Sequence, residues 1–148
     1  MTEQSTVRSP VDTVAGIYRA FGAGDLEALF GLLADDVVFD ADRVESSAQA
    51  LGHPLLSARR GHTEVAGFFE ELGRCEVHDF QVLRLLDGRD SGAVAAQVTI
   101  DLTYPSGVRI QDQEVHVWTV DDTGLATSMQ HYADTAKHVA AWRGPHAG

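Results

Sequence analysis

The sequence predicts a single α+β domain, and three patterns predict it. Amphipathic helical stripes crowd the first half of the chain, alternating strand patterns fill the second, and turn signals separate the strands at short intervals. Helices grouped ahead of an antiparallel sheet make an α+β arrangement rather than a parallel α/β one. The sheet then has one apolar face, and the helices have to cover it.

The elements follow in order. Residues 1–9 read as a loose polar tail, 10–142 as the domain and 143–148 as a second tail. Ser9-Pro10-Val11-Asp12 starts a first helix: Ser9 caps, Pro10 suits the first helical position and Asp12 favours the positive helix end. Val11, Val14, Ile17, Tyr18 and Phe21 form its buried stripe, and Gly22 and Gly24 end it. Asp25 caps a second helix with Leu26, Leu29, Phe30 and Leu33 inward. Asp35-Asp36 reads as a turn, and Val37-Val38-Phe39 as a short strand closing at Asp40 and Asp42. Residues 43–60 look irregular, a long loop that could close as a lid. A third helix after Gly61 buries Val65, Phe68, Phe69 and Leu72 and stops at Gly73. Strands are predicted near 76–86, 93–104, 109–120 and 125–133, then a short helix over 135–142 capped by Asp134.

Composition excludes several functions. A net charge of -11 repels phosphate backbones and anionic lipid alike, which argues against nucleic-acid and membrane partners. No apolar run approaches the roughly 20 residues of a membrane span. The single cysteine, Cys75, leaves no internal disulfide and suits a reducing cytoplasm, with Cys75 itself a small packing residue. No glycine-rich phosphate loop or nucleophile elbow occurs. No histidine pair stands at a convincing ligand spacing with a third ligand nearby, so neither a metal nor a cofactor is expected.

The chemistry concentrates in the last third. Glu114-Val115-His116-Val117-Trp118-Thr119-Val120 and Met129-Gln130-His131-Tyr132 flank the turn Asp121-Asp122-Thr123-Gly124, which reads as a hairpin with a histidine on each strand. Alternation puts Glu114, His116, Trp118 and Val120 on one face, and Met129, His131 and Ala133 on the matching face of the next strand; Tyr132 points away. Histidine is the side chain most easily poised for proton transfer near neutral pH. The candidate catalytic residues are therefore His131 as acid/base, His116 as donor or partner, Glu114 to orient His116, and Asp40, for which a solvated turn carboxylate is the competing role. Tyr18, Trp118, Met129, Phe69 and Ile17 are the candidate substrate-binding wall.

Several of these segments resemble the nuclear-transport-factor-2-like superfamily, specifically its ketosteroid isomerase and SnoaL-like polyketide cyclase branch. They are Tyr18 to Leu29, Leu33 to Phe39, Arg60-Gly61-His62-Thr63-Glu64-Val65, and the His116-Val117-Trp118 to Tyr132-Ala133-Asp134-Thr135 hairpin. The resemblance implies a cone-shaped α+β barrel, its curved mixed or antiparallel sheet covered by the three helices of the N-terminal half. It also implies a homodimer formed through the open sheet face, where Gln97, Thr99, Asp101 and Thr103 lie. The ketosteroid isomerase catalytic pattern falls on Ile17, His116 and Ala41, so none of its three catalytic side chains is kept. The pattern of nogalonic acid methyl ester cyclases fits better: Glu114 and His116 match its strand pair, and His131 takes the place of its aspartate. The implied function is a cofactor-independent cyclase or isomerase acting on an apolar, polyketide-like carbonyl compound in natural-product biosynthesis. An epoxide hydrolase or dehydratase using Asp40 or Asp42 with Glu114, and a non-catalytic binding domain, are the alternatives.

Overall fold

The computed structural model describes residues 7–41 and 44–145. Asp42, named above as a possible base, lies outside them, as do parts of both predicted tails. The chain runs α1 (Pro10–Gly22), α2 (Leu26–Phe30), β1 (Leu33–Phe39), α3 (Ser47–Ala50), β2 (Arg59–Arg60), α4 (Gly61–Gly73), β3 (Glu76–Asp87), β4 (Ala93–Thr103), β5 (Arg109–Val120), β6 (Ala126–Tyr132) and α5 (Thr135–Arg143). The six strands form one curved, open sheet in the order β2-β1-β6-β5-β4-β3. Every pairing is antiparallel except β1 with β6, which is parallel.

Local chemistry sets the helix limits. The Ser9 side chain accepts from Asp12 N–H, and Asp25 and Asp134 likewise cap α2 and α5. Val14, Ile17, Leu29, Val65 and Phe68 then pack with Phe39, Leu102, Trp118 and Met129 in one core between helices and sheet. Along β4, Val94, Ala96, Val98 and Leu102 are buried, whereas Gln97, Thr99, Asp101 and Thr103 on the other face are half-buried.

Three expectations change. Asp35-Asp36 is not a turn: both residues lie exposed within β1, where the pairing with β6 shifts register between Leu33 and Val38. Leu33 accordingly begins the strand rather than closing the face of α2. Residues 43–60 are not uniformly irregular, because they contain α3 and β2. In α3, Ser46 Oγ accepts from Gln49 N–H while Gln49 Oε1 accepts from Ser46 N–H, a reciprocal capping box. Third, Leu26 is exposed.

Gly92 has φ 76°, and a Cβ there would lie 2.8 Å from the Val120 carbonyl oxygen, whereas at Gly73 a Cβ meets nothing within 4 Å. Gly92→Ala is expected to cost more than about 1 kcal/mol, and Gly73→Ala to leave stability unchanged or raise it by up to about 1 kcal/mol. Urea denaturation of the two variants beside the wild type measures both.

Candidate active site

Strand register builds the site. His116 on β5 stands directly opposite His131 on β6, and Trp118 opposite Met129. Phe39 pairs with Met129 on the other side, which leaves Asp40 at the end of β1 beside His131. Asp40 has φ 55°, a left-handed conformation that a short polar residue tolerates best after glycine. Two contacts hold it there: its N–H donates to Met129 O at 2.8 Å, and Gln49 Nε2 donates to its carbonyl at 2.6 Å. The short helix in the loop thus fixes the backbone of a site residue.

Asp40 clasps His131 twice. Oδ1 accepts the backbone N–H of His131 and Oδ2 accepts from ring Nδ1, both at 2.7 Å. At 3% exposure Asp40 is not a solvated turn carboxylate. Its oxygens are committed to one histidine, and they fix the protonated nitrogen of neutral His131 as Nδ1. The rings of His131 and His116 are 4.7 Å apart and nearly perpendicular.

His116 belongs to a second network whose direction is set by groups that can only donate. The Trp118 indole N–H donates to the Tyr18 hydroxyl at 3.0 Å, so the Tyr18 O–H donates to His116 Nδ1 at 2.7 Å. His116 Nε2–H then donates to Glu114 Oε1 at 3.0 Å. From the other end, Leu55 N–H donates to His53 Nδ1, His53 Nε2–H to the Tyr104 hydroxyl at 3.0 Å, and Tyr104 O–H to His138 Nδ1 at 2.7 Å. His138 Nε2–H reaches both Glu114 Oε2 at 3.0 Å and Asp112 Oδ2 at 2.8 Å. Two chains of hydrogen bonds therefore converge on the Glu114 carboxylate.

Electrostatics follow from burial and these bonds. Burial opposes the charge on Glu114, but donation from His116 and His138 outweighs it and holds its carboxyl far below the usual range. Burial lowers the pKa of His116 and raises that of Tyr18, so the imidazole stays neutral and the phenol stays protonated. Burial also opposes protonation of His138, yet Glu114 and Asp112 raise its pKa overall. At His53, burial first and the charge of His138 second bring the pKa from 6.5 to about 4.

Glu114, His116, His131 and His138 form the polar end of a cavity of about 80 Å³. Its walls are apolar and largely aromatic: Phe21, Phe39, Phe68, Phe69, Phe80 and Trp118 among them. Of the sequence-predicted residues, Ile17, Tyr18, Phe69, Glu114, His116, Trp118, Met129 and His131 all line it, and Asp40 stands one bond behind His131. Tyr132 points outward, 57% exposed. His53, in the segment between α3 and β2, is fully buried against Tyr104 and Trp142. Both nitrogens of His116 are engaged, so in this state it is the partner of Tyr18 and Glu114 and presents no further donor.

Sequence reasoning missed His138, Asp112 and Tyr104. The signal available was the β5 alternation extended one step back, Asp112-Glu114-His116; nothing local pointed to a histidine on α5 beneath it. Among the described residues, two sets of three donors also lie within 4.8 Å of one another, Glu114/His116/His131 and Asp112/Glu114/His138, close enough to hold a metal ion. Sequence spacing could not show either set, because their members come from separate elements.

A curved open sheet roofed by helices is the fold shared with nuclear-transport-factor-2-like structures. Within that class the chain belongs to the SnoaL-like domain family, whose model matches residues 14–129. No curated protein matches the sequence. Among solved structures, an NTF2-like protein of Burkholderia thailandensis is 25% identical with a TM-score of 0.73, covering 94% of this chain and 100% of its own. A Δ5-3-ketosteroid isomerase of Mycobacterium sp. is 24% identical with a TM-score of 0.64, covering 84% and 93%. A proposed polyketide cyclase of Silicibacter sp. is 19% identical with a TM-score of 0.67, covering 93% and 98%. No described helix is long and apolar enough to cross a membrane.

The His53 shift makes a pH prediction. Its pKa is depressed in the folded chain, so the unfolded chain binds the extra proton between pH 6.5 and 4. The stability contribution is complete above pH 6.5 and is lost as the pH falls towards 4. A loss on the order of 2 kcal/mol is expected over that window, and His53→Gln should flatten the slope. Denaturation midpoints taken at several pH values test it; equal slopes in the two proteins would refute it.

Proposed function

We propose that the chain is a cofactor-independent cyclase or isomerase that acts by acid–base chemistry on an apolar carbonyl compound. One observation carries this: the Asp40–His131 pair at the polar end of an aromatic-walled cavity. With the Nδ1 proton held by Asp40, Nε2 is the basic nitrogen of His131. It removes a proton from the carbon beside the carbonyl, and the C–H electron pair passes into an enolate. The imidazolium that forms is stabilised by Asp40 and faces the new negative charge. Returning the proton to another carbon isomerises the substrate. Attack of the enolate carbon on a second carbonyl carbon closes a ring instead, and the resulting alkoxide takes the proton back.

The remaining residues have passive roles. Ile17, Tyr18, Phe69, Trp118 and Met129 fold the substrate against the histidine, which supplies effective concentration. Glu114 fixes His116, and the Tyr18–His116 pair sets the shape of the floor. The likeness to a ketosteroid isomerase and a proposed polyketide cyclase supports this reaction class and a place in natural-product biosynthesis. Half-buried Cys75, with no disulfide to keep oxidised, suits work in the cytoplasm. The outer face of β4 is where a homodimer would form.

The test uses 2-tetralone, a flat ketone with an acidic C–H, and follows proton–deuterium exchange in D2O by proton NMR. The wild type is expected to accelerate exchange above buffer, and His131→Gln to lose roughly 10²–10⁴-fold of that acceleration. A wild type no faster than buffer, or a variant as fast as the wild type, would refute the assignment.

A further inference from the structure

The left-handed turn at Asp40 needs support. With φ 55° it carries a steric cost for a residue with a Cβ, and such a conformation persists only where surrounding bonds over-determine it. The bond from Asp40 N–H to Met129 O continues the pairing of β1 with β6 and holds the amide side of the residue. The bond to its carbonyl comes from outside the sheet, from Gln49 Nε2 at 2.6 Å. The orientation of that side-chain amide is not open to choice. Ser46 N–H can only donate, so it takes Gln49 Oε1, and Nε2 faces the Asp40 carbonyl.

This donor sits on an anchored element. Ala48, its neighbour in α3, is fully buried, and the Ala48 carbonyl accepts His53 N–H at 3.0 Å. His53 in turn is bonded to Tyr104 in the interior. Gln49 is half-buried and stands behind the cavity wall, to which Leu55 and Leu56 of the same segment contribute. We propose that Gln49 is a positioning residue for the reaction: through the Asp40 carbonyl it aims the carboxylate at His131, and so selects the Nδ1–H tautomer that makes Nε2 the base. This rests on the acid–base reading above and deepens it. With the turn released, the Asp40 oxygens leave the backbone and ring N–H groups of His131 together, because one side chain serves both at 2.7 Å. A neutral imidazole then takes either tautomer, and the form protonated at Nε2 removes no proton from a substrate. Gln49 does not line the cavity, so its loss acts on turnover and leaves ketone binding alone.

Two substitutions separate the bond from the helix that carries it. Gln49→Glu keeps an oxygen for Ser46 N–H, as a capping box allows, but has no N–H for Asp40. Ser46→Ala removes the hydroxyl half of the capping box and leaves the Nε2 bond. For 2-tetralone exchange at pH 8, kcat is expected to fall at least about tenfold in Gln49→Glu with KM unchanged, and to stay within about twofold of the wild type in Ser46→Ala. Nitrogen-15 spectra of the histidine rings, on the alkaline side of their titration, should show His131 as the Nδ1–H tautomer in the wild type and in Ser46→Ala, and as a mixture in Gln49→Glu. The His131 backbone amide, which donates to Asp40 Oδ1, should exchange with solvent at least about tenfold faster in Gln49→Glu than in the other two. If Gln49→Glu does not fold by circular dichroism, Gln49→Met, uncharged and of similar size, takes its place. An unchanged rate and tautomer in the folded variant would overturn the proposal. So would an equal loss in Ser46→Ala, which would assign the effect to α3 as a whole. A wild type that exchanges no ketone protons refutes the acid–base reading by itself; the tautomer and the His131 amide then still decide whether Gln49 sets the clasp.

Discussion

Glu114 is the residue on which the rest of the site depends. An ionised carboxylate inside an apolar cone is costly unless both oxygens are hydrogen-bonded. Here one oxygen takes His116 Nε2–H and the other His138 Nε2–H, each at 3.0 Å. The second of these bonds ties strand β5 to helix α5 and gives the last helix a polar reason to dock, beyond the burial of Ala141. The two bonds also fix which nitrogen of each histidine carries its proton, and through Tyr18 and Tyr104 they link that choice to Trp118 on one side and His53 on the other. Removing either histidine would leave a buried charge underpaired, which costs more than the bond itself.

The Asp40–His131 pair is built on different terms. It depends on backbone, because the left-handed turn at Asp40 aims both carboxylate oxygens at one residue. That turn is held by Gln49, whose other amide atom closes the capping box of α3. The loop over residues 44–60 therefore contributes to the site as a brace. Leu55 and Leu56 from the same loop line the cavity, so its wall and its brace move together if the segment moves.

What the sequence made legible followed from periodicity. Two-residue alternation identified Glu114, His116 and Trp118 as one face, and the same parity on β6 separated Met129 and His131 from Tyr132; the register of β5 with β6 then set the two histidines opposite each other. Helix caps at Ser9, Asp25 and Asp134 were readable because they act within three residues. The misses share a cause. Asp40 as a buried partner, His138 under Glu114, and Tyr104 between two histidines are all contacts between elements distant in sequence, and Tyr104 and His53 are 51 residues apart. No local pattern distinguishes a core histidine that completes a network from one that decorates a helix. Asp35-Asp36 misled in the opposite way: paired acidic residues favour turns, but a strand at a register shift leaves both side chains in water at little cost.

The departure from the ketosteroid isomerase pattern has a physical consequence. In that pattern a tyrosine and a protonated acid jointly donate to an oxyanion. Here the strand position falls on His116, whose two nitrogens are already engaged, and the neighbouring acid, Glu114, is held ionised by two histidine donors. Among the described residues, an enolate in this cavity would meet no ready-made pair of neutral donors at those positions. Its stabilisation would have to come from the imidazolium of His131, created in the same step that creates the enolate. Proton removal and charge stabilisation then rest on one side chain, and Asp40, which makes that imidazolium affordable in an apolar cavity, becomes as necessary to the chemistry as the base it holds.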